Sequence, residues 1–410
     1  MNTEARVNSL AEAYVRLVLG LGQHDGDFVD AYYGPPAWRE DVAHTPPTLE
    51  EIISSAGELR AALGALPRPA PELERLRISY LMRQLEALAA RARMLQGERM
   101  DFDRESLALY DAVAPVLPEE EFQHVLSELE GLLPGTGSVQ DRYEQYRERF
   151  TISPERLDAV FRAAIDESRR RSARWILLPE EETFTLDYVT QKSWSGYNWY
   201  RGSCASLIQI NTDLPITIDR AIDLASHEGY PGHHVYNCLL EDRLVRRRGW
   251  VEFTVYALFS PQSLIAEGTA NFGIAMAFPG SERVAFEREV LFPLAGLDPS
   301  AAEQYSRLHE LVQRLGYAGN EAARGYLNGT MTAQEAVAWL VRYALMSRAR
   351  AEQRIRFFEQ YRSYVINYNL GQDLVRRYVE GKGGTAENPA RRWEVFTDLL
   401  GSPRLPSDIQ

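Results

Sequence analysis

The sequence predicts a mainly α-helical protein: a multi-helical body with a small antiparallel β-sheet beside one central helix. Three observations predict it. Apolar residues recur at helical spacing through most of the 410 residues, beginning with Val7, Leu10, Ala11, Tyr14, Val15 and Val18. Helix starts are written in side chains: Thr48-Leu49-Glu50-Glu51 after Pro46-Pro47 is a capping box, and Ser153-Pro154-Glu155 sets a cap before a first-turn proline. Two stretches, residues 183–189 and 205–211, instead alternate with the period of a strand and are rich in β-forming residues.

In order, a helix over residues 3–21 leads into the turn Gln23-His24-Asp25-Gly26-Asp27 and a loop at Gly34-Pro35-Pro36. His24 there reads as part of a turn with polar caps rather than as a ligand. A helix from Thr48 towards Leu66 stops before Pro67, Pro69 and Pro71, and a longer one carries Leu73, Leu76, Leu81, Leu85 and Leu88 as core positions. Residues 102–150 continue as helices broken at 115–118 and 133–137, with His124 structural. The helix from Pro154 ends in Arg169-Arg170-Arg171, a cationic last turn. Between the strands lies the aromatic, glycine-rich stretch 194–202; a helix then runs from about Thr217, and another spans 263–276. Residues 300–380 are helical, with apolar stripes over 333–346 and 350–368, and a short helix closes the chain after Pro389. The chain divides into a helical N-terminal region, 1–150, and a region 151–410 bearing the sheet, or forms one continuous helical body.

A formal net charge of −13 excludes the basic footprint that nucleic-acid binding requires. No run reaches the roughly 18 apolar residues of a membrane span, and Met1-Asn2-Thr3-Glu4-Ala5-Arg6 lacks a signal-peptide pattern, so the expectation is a cytoplasmic protein with no membrane partner. Two cysteines, Cys204 and Cys238, are too few for a disulfide framework and read as reduced core residues. Nothing in the composition fixes an oligomeric state.

Chemistry concentrates in Ser226-His227-Glu228-Gly229-Tyr230-Pro231-Gly232-His233-His234, which holds three of the chain's seven histidines. Neutral imidazoles suit zinc, and a glutamate beside one suits proton transfer from a water that the metal activates. The stretch resembles the H-E-x-x-H signature of zinc peptidases, but Pro231 stands where its second histidine belongs. On a straight helix, residues six or seven apart are separated by roughly 9 to 10.5 Å of rise, too far to share an ion. Convergence therefore demands that Pro231 and Gly232 break the helix.

H-E-x-x-P-G-H-H followed by Glu267-Gly268-Thr269-Ala270 resembles the bacterial domain-of-unknown-function family 885, which is zinc-peptidase-like and related to the gluzincins. The resemblance extends upstream to Ser206-Leu207-Ile208-Gln209-Ile210-Asn211 and downstream to Tyr368-Asn369-Leu370-Gly371. It departs from the family's usual E-G-W-A-x-Y, since Thr269 and Phe272 stand at the aromatic positions. It implies a zinc site of His227, His233 and Glu267 with one position left for water, and Glu228 as general base. His234 is the alternative second ligand, or else a residue that orients substrate or donates to the oxyanion.

Tyr368 is the candidate oxyanion donor, and Asn271, one turn beyond Glu267, is placed to orient a ligand. In the resembled peptidases an edge strand just before the motif helix pairs with the substrate backbone. That implies substrate binding along Ser206, Ile208 and Ile210, although a strand that merely buttresses the helix fits the same residues. Arg348, Arg350, Arg354 and Arg356 offer cations for a substrate carboxylate, Arg350 first among them. The expected function is zinc-dependent hydrolysis of peptide bonds. The rivals are metal-dependent hydrolysis of a non-peptide amide or ester, and a non-catalytic helical interaction protein with a degenerate site.

Overall fold

The computed structural model describes residues 3–410. It is mainly α-helical, with a small sheet against the motif helix. The first helix, Thr3–Leu21, buries Val7, Ala11, Tyr14, Val15 and Val18 on one face. Helices Leu49–Gly64 and Glu72–Leu95 pack on each other and on it. The capping box forms: the Glu51 amide donates to Thr48 Oγ1 at 3.2 Å, and the Thr48 amide to Glu51 Oε2 at 2.8 Å. Helices Phe102–Tyr110, Glu119–Leu132 and Val139–Glu148 are separated where the prolines and glycines fall. Pro154 opens the next helix, although the Ser153 hydroxyl donates to Glu155 rather than capping the backbone.

The strands are β1 (Val29–Tyr32), β2 (Thr183–Val189), β3 (Gly196–Tyr200), β4 (Ala205–Asn211) and β5 (Val255–Ala257). β1 and β5 form an antiparallel pair that joins the N-terminal region to the chain just ahead of Glu267. β4 lies at the centre of a three-stranded sheet, antiparallel to β3 and parallel to β2. Most buried apolar side chains, from Val7 to Ile409, belong to one cluster, and Tyr200, Cys204 and Cys238 form a small second one. No described helix is long and apolar enough to cross a membrane.

Two features of the C-terminal half position the site. The apolar stripe over 350–368 is not one helix: Arg348–Tyr361 ends, a 3₁₀ turn covers Arg362–Val365, and Ile366–Gly381 follows. Arg362 takes φ 53° at the break, a conformation that an L-residue adopts only at a cost. Buried Glu105 offsets it, accepting from Arg362 Nε at 2.7 Å, the Ser363 amide at 3.1 Å and the Ser363 hydroxyl at 2.7 Å. The second feature is a backbone-to-backbone crossing of helices Pro261–Ala277 and Ile366–Gly381. A Cβ on Gly268 would lie 2.5 Å from the Gly371 carbonyl, so both positions require glycine. That crossing sets Glu267 beside Tyr364 and Tyr368.

Candidate metal centre

The motif helix breaks in a defined way. Helix Asp219–Leu224 widens into a π-turn, Ala225–Gly229, and Tyr230 is extended at φ −122°, ψ 117°. The Tyr230–Pro231 bond is cis, and a new helix, His233–Leu240, starts after Gly232. The Gly232 amide donates to the Ser226 carbonyl at 2.9 Å. A Cβ on Gly232 would stand 1.9 Å from the His227 carbonyl oxygen, so no other residue fits this reversal. The doubled-back chain sets the His233 ring edge-on to His227, with centroids 4.7 Å apart.

Three inward-facing atoms converge there. His227 Nε2 lies 3.2 Å from His233 Nε2 and 3.2 Å from Glu267 Oε2, and His233 Nε2 lies 3.7 Å from that oxygen. Tetrahedral zinc ligands at about 2.0–2.1 Å from the ion stand roughly 3.3 Å from one another, close to this spacing. The hydrogen bonding is compatible with a cation as well. Asn271 Nδ2 donates to the Tyr368 carbonyl at 3.1 Å, which turns its Oδ1 to His227 Nδ1 at 3.0 Å. His227 therefore carries its proton on Nδ1 and aims the Nε2 lone pair inward. Tyr364 donates to Glu267 Oε1 at 2.7 Å, whereas buried Oε2 has no hydrogen-bond partner. A single proton on His233 Nε2 cannot serve every inward-facing acceptor; a cation serves them all. Burial pushes the Glu267 carboxyl up, and only positive charge on the imidazole side of the cluster lowers it and keeps the group ionised.

Glu228 follows on the same turn and lines the same cleft, a cavity of about 590 Å³. Burial raises its carboxyl to about 7, with Glu267 adding repulsion and His233 opposing. β3 runs over it so closely that a Cβ on Gly196 would sit 2.9 Å from Glu228 Oε1. Tyr368 also faces the cleft, its ring 6.5 Å from that of His227. Burial and the nearby Glu267 raise its hydroxyl well above the ordinary range, so it stays a proton donor. Two residues at the site carry no sequence signature of their own. Tyr364 lies one helical turn before Tyr368, a spacing that could have flagged it. Asp30 comes from β1, accepts from the Tyr197 hydroxyl, and is raised by burial to about 6.

Other expected site residues lie elsewhere. His234 is fully buried, its Nδ1 2.8 Å from Ser206 Oγ and its Nε2 2.9 Å from Glu182 Oε1. With both ring nitrogens engaged behind the motif, it neither joins the cluster nor reaches the cleft. Ser206, Ile208 and Ile210 are buried on the core face of β4, and both edges of β4 are already paired. That strand has no edge to offer a substrate and buttresses the motif helix instead. The outer strand at the cleft is β3, whose Gly196, Tyr197 and Asn198 line it. Arg350 and Arg354 line the cleft, whereas Arg348 is exposed and pairs with Glu352 at 3.1 Å, and Arg356 is exposed. Cys204 and Cys238 are buried free thiols.

A second cluster, Asp219, Asp223 and His309, shares the cleft and also meets the spacing of metal ligands. Its acids are already served. Arg283 donates to Asp223 at 2.8 Å and to the Asp219 carbonyl at 3.1 Å, and the Tyr305 hydroxyl donates to Asp219 at 2.5 Å.

No family model matches the sequence, and no curated protein does. Among solved structures, the chain is similar to BsuCP, at TM-score 0.52 and 11% identity over 98% of this chain and 90% of that one. It is also similar to a protein of Colwellia psychrerythraea named as a lipoprotein, at TM-score 0.51 and 14% identity over 88% of this chain and 71% of that one. At such identities the likeness is one of fold alone.

Proposed function

We propose that His227, His233 and Glu267 hold a zinc ion and that the protein hydrolyses peptide bonds. The observation that carries this is the convergence of two imidazole nitrogens and an unpartnered buried carboxylate oxygen on one point, beside a second buried carboxylate, Glu228, that makes no ion pair among the described residues. The likeness of the motif to family 885 supports the same reading. Zinc bound there supplies Lewis acidity to a water and to the scissile carbonyl. Glu228 accepts the water's proton as the new C–O bond forms, then delivers it to the amine nitrogen as the C–N bond breaks. Tyr368 donates to the oxygen on which negative charge develops. Asn271 keeps His227 in the tautomer that leaves Nε2 free.

Elemental analysis of purified protein should find one zinc per chain, lost in His227→Ala and in Glu267→Ala. Glu228→Gln should retain zinc and lose turnover by about 10²- to 10⁴-fold. Dipeptides, N-blocked peptides and simple esters form the substrate panel. Esters turned over without any peptide would remove the peptidase assignment, and protein purified without metal would remove the hydrolase.

A further inference from the structure

Three arginines of the cleft, Arg147, Arg350 and Arg354, make no ion pair among the described residues. Their neighbours are paired: Arg220 lies 3.7 Å from Asp223, and Arg283 2.8 Å from the same carboxylate. In a chain with 58 acidic against 45 basic residues, counter-ions were plentiful. Arg350 and Arg354 stand one turn apart on helix Arg348–Tyr361, hence on one face. The Arg350 guanidinium reaches only a backbone oxygen, donating from Nη2 to the Pro215 carbonyl at 2.7 Å. Arg354 lies over the Phe357 ring at 4.4 Å and the Tyr368 ring at 5.7 Å, and its buried Nε has no partner. Burial lowers the proton affinity of both, Arg350 to about 10. Both side chains are half-buried in the cleft with no carboxylate partner, and a planar fork matches a carboxylate.

Distance selects which carboxylate. The Tyr368 ring lies 5.7 Å from the Arg354 guanidinium and 6.5 Å from the His227 ring, which sets Arg354 close to the metal cluster. Each residue of extended chain spans about 3.3–3.6 Å, so only one or two residues fit between a scissile carbonyl at the cluster and an anion at Arg354. At the cleft's other polar points, Asp30 is occupied by Tyr197, and Asp219 and Asp223 by Tyr305 and Arg283. We infer that Arg354, backed by Arg350, binds the free C-terminal carboxylate of a peptide, so that the hydrolase releases the last one or two residues of its substrate. The cleavage direction rests on the hydrolase assignment; the binding subsite does not.

The test uses zinc-loaded Glu228→Gln protein, which binds without turnover. It compares an N-blocked dipeptide acid, its C-terminal amide, and an amide with aspartate as the last residue. The acid should bind about 10- to 100-fold more tightly than either amide, the range of one charge-assisted hydrogen-bond pair. Adding Arg354→Gln should bring the affinity for the acid down to that for the amides; Arg354→Lys, which keeps the charge but not the fork, should erase most of the preference. Should the glutamine variant not fold, the lysine variant decides. Equal binding of acid and amide overturns the subsite, as does a preference that survives the Arg354 variants. The aspartyl amide binding as tightly as the acid also overturns it, by assigning the arginines to acidic side chains. Acid-selective binding with no hydrolysis by wild-type protein would cost the hydrolase but leave the subsite. Equal hydrolysis of acids and amides would do the reverse.

Discussion

Two groups of histidine and carboxylate face one cleft, and both satisfy the spacing of metal ligands. In the first, His227, His233 and Glu267 point bare acceptor atoms at one another, and Glu267 Oε2 has no partner. In the second, Asp223 pairs with Arg283, Asp219 accepts from the Tyr305 hydroxyl, and His309 lies 3.6 Å from Asp219. Proximity of ligand-type side chains is thus a poor criterion for a metal. What separates the groups is whether the chain already provides the positive charge and the protons that its buried acceptors need.

The contrast is broken most directly at Arg283. Arg283→Met leaves Asp223 and Glu287 buried without their main cation and should destabilise the protein by about 3–5 kcal/mol, measured by urea unfolding. Zinc content should stay at one per chain in wild type and variant alike. A second equivalent in the variant would show that Arg283 stands in for a cation, and the two clusters would then differ in occupant rather than in kind.

Only part of this was open to sequence. Helices announced by a capping box or an apolar stripe, and strands β2 and β4, are local matters, fixed by residues within a few positions of one another. The need for a break at Pro231 and Gly232 was equally legible, because a straight helix cannot bring His227 and His233 together. Which of two adjacent histidines turns inward was not. His233 and His234 have the same chemistry and neighbouring positions, and the choice between them is made by Glu182 and Ser206, up to 52 residues upstream. The break at Arg362 lacked a glycine or proline to announce it, since its positive φ is held by Glu105 from a distant helix. β1 and β5 are only four and three residues long, and Asp30 entered the site unannounced with the first of them. Gly268 and Gly371 were visible as motif letters, but their meaning as two faces of one helix crossing needed coordinates.

A somewhat smaller effect is expected at Glu228, beside the first cluster, where an unpaired buried carboxylate should be readable as stability. Its carboxyl is raised from 4.5 to about 7 in the metal-free protein, chiefly by burial. The native state therefore holds a proton that the unfolded chain gives up, so stability falls as pH rises through that interval, and the penalty is complete above about 7. Glu228→Gln has no proton to lose. At pH 8, stripped of metal, the variant should be more stable than wild type by about 3 kcal/mol; at pH 4 the two should unfold alike. Zinc should narrow the difference at pH 8 by stabilising the ionised carboxylate. A difference independent of pH would mean that Glu228 is better solvated than its position under β3 indicates.

The smallest effect is expected where a buried carboxylate is as well served as those of the second cluster. Glu182 accepts from the Tyr230 hydroxyl, from Arg169 at 2.6 Å and, with His234 Nε2 as donor, at 2.9 Å. Burial works against its ionised form, but His234, Tyr230 and Arg169 together lower it to about 2. The sign is opposite to that at Glu228: here the unfolded chain takes up the proton first, so stability is full above about 4.5 and drains away as pH falls towards 2. Glu182→Gln should therefore cost about 1–2 kcal/mol at pH 7 and flatten the acid limb of a melting-temperature profile between pH 5 and pH 3. The same variant should keep its zinc, because Glu182 acts on His234 and not on His233. Loss of metal would mean that the two histidines move as one unit, and that the wall behind the motif helps to set the geometry in front of it.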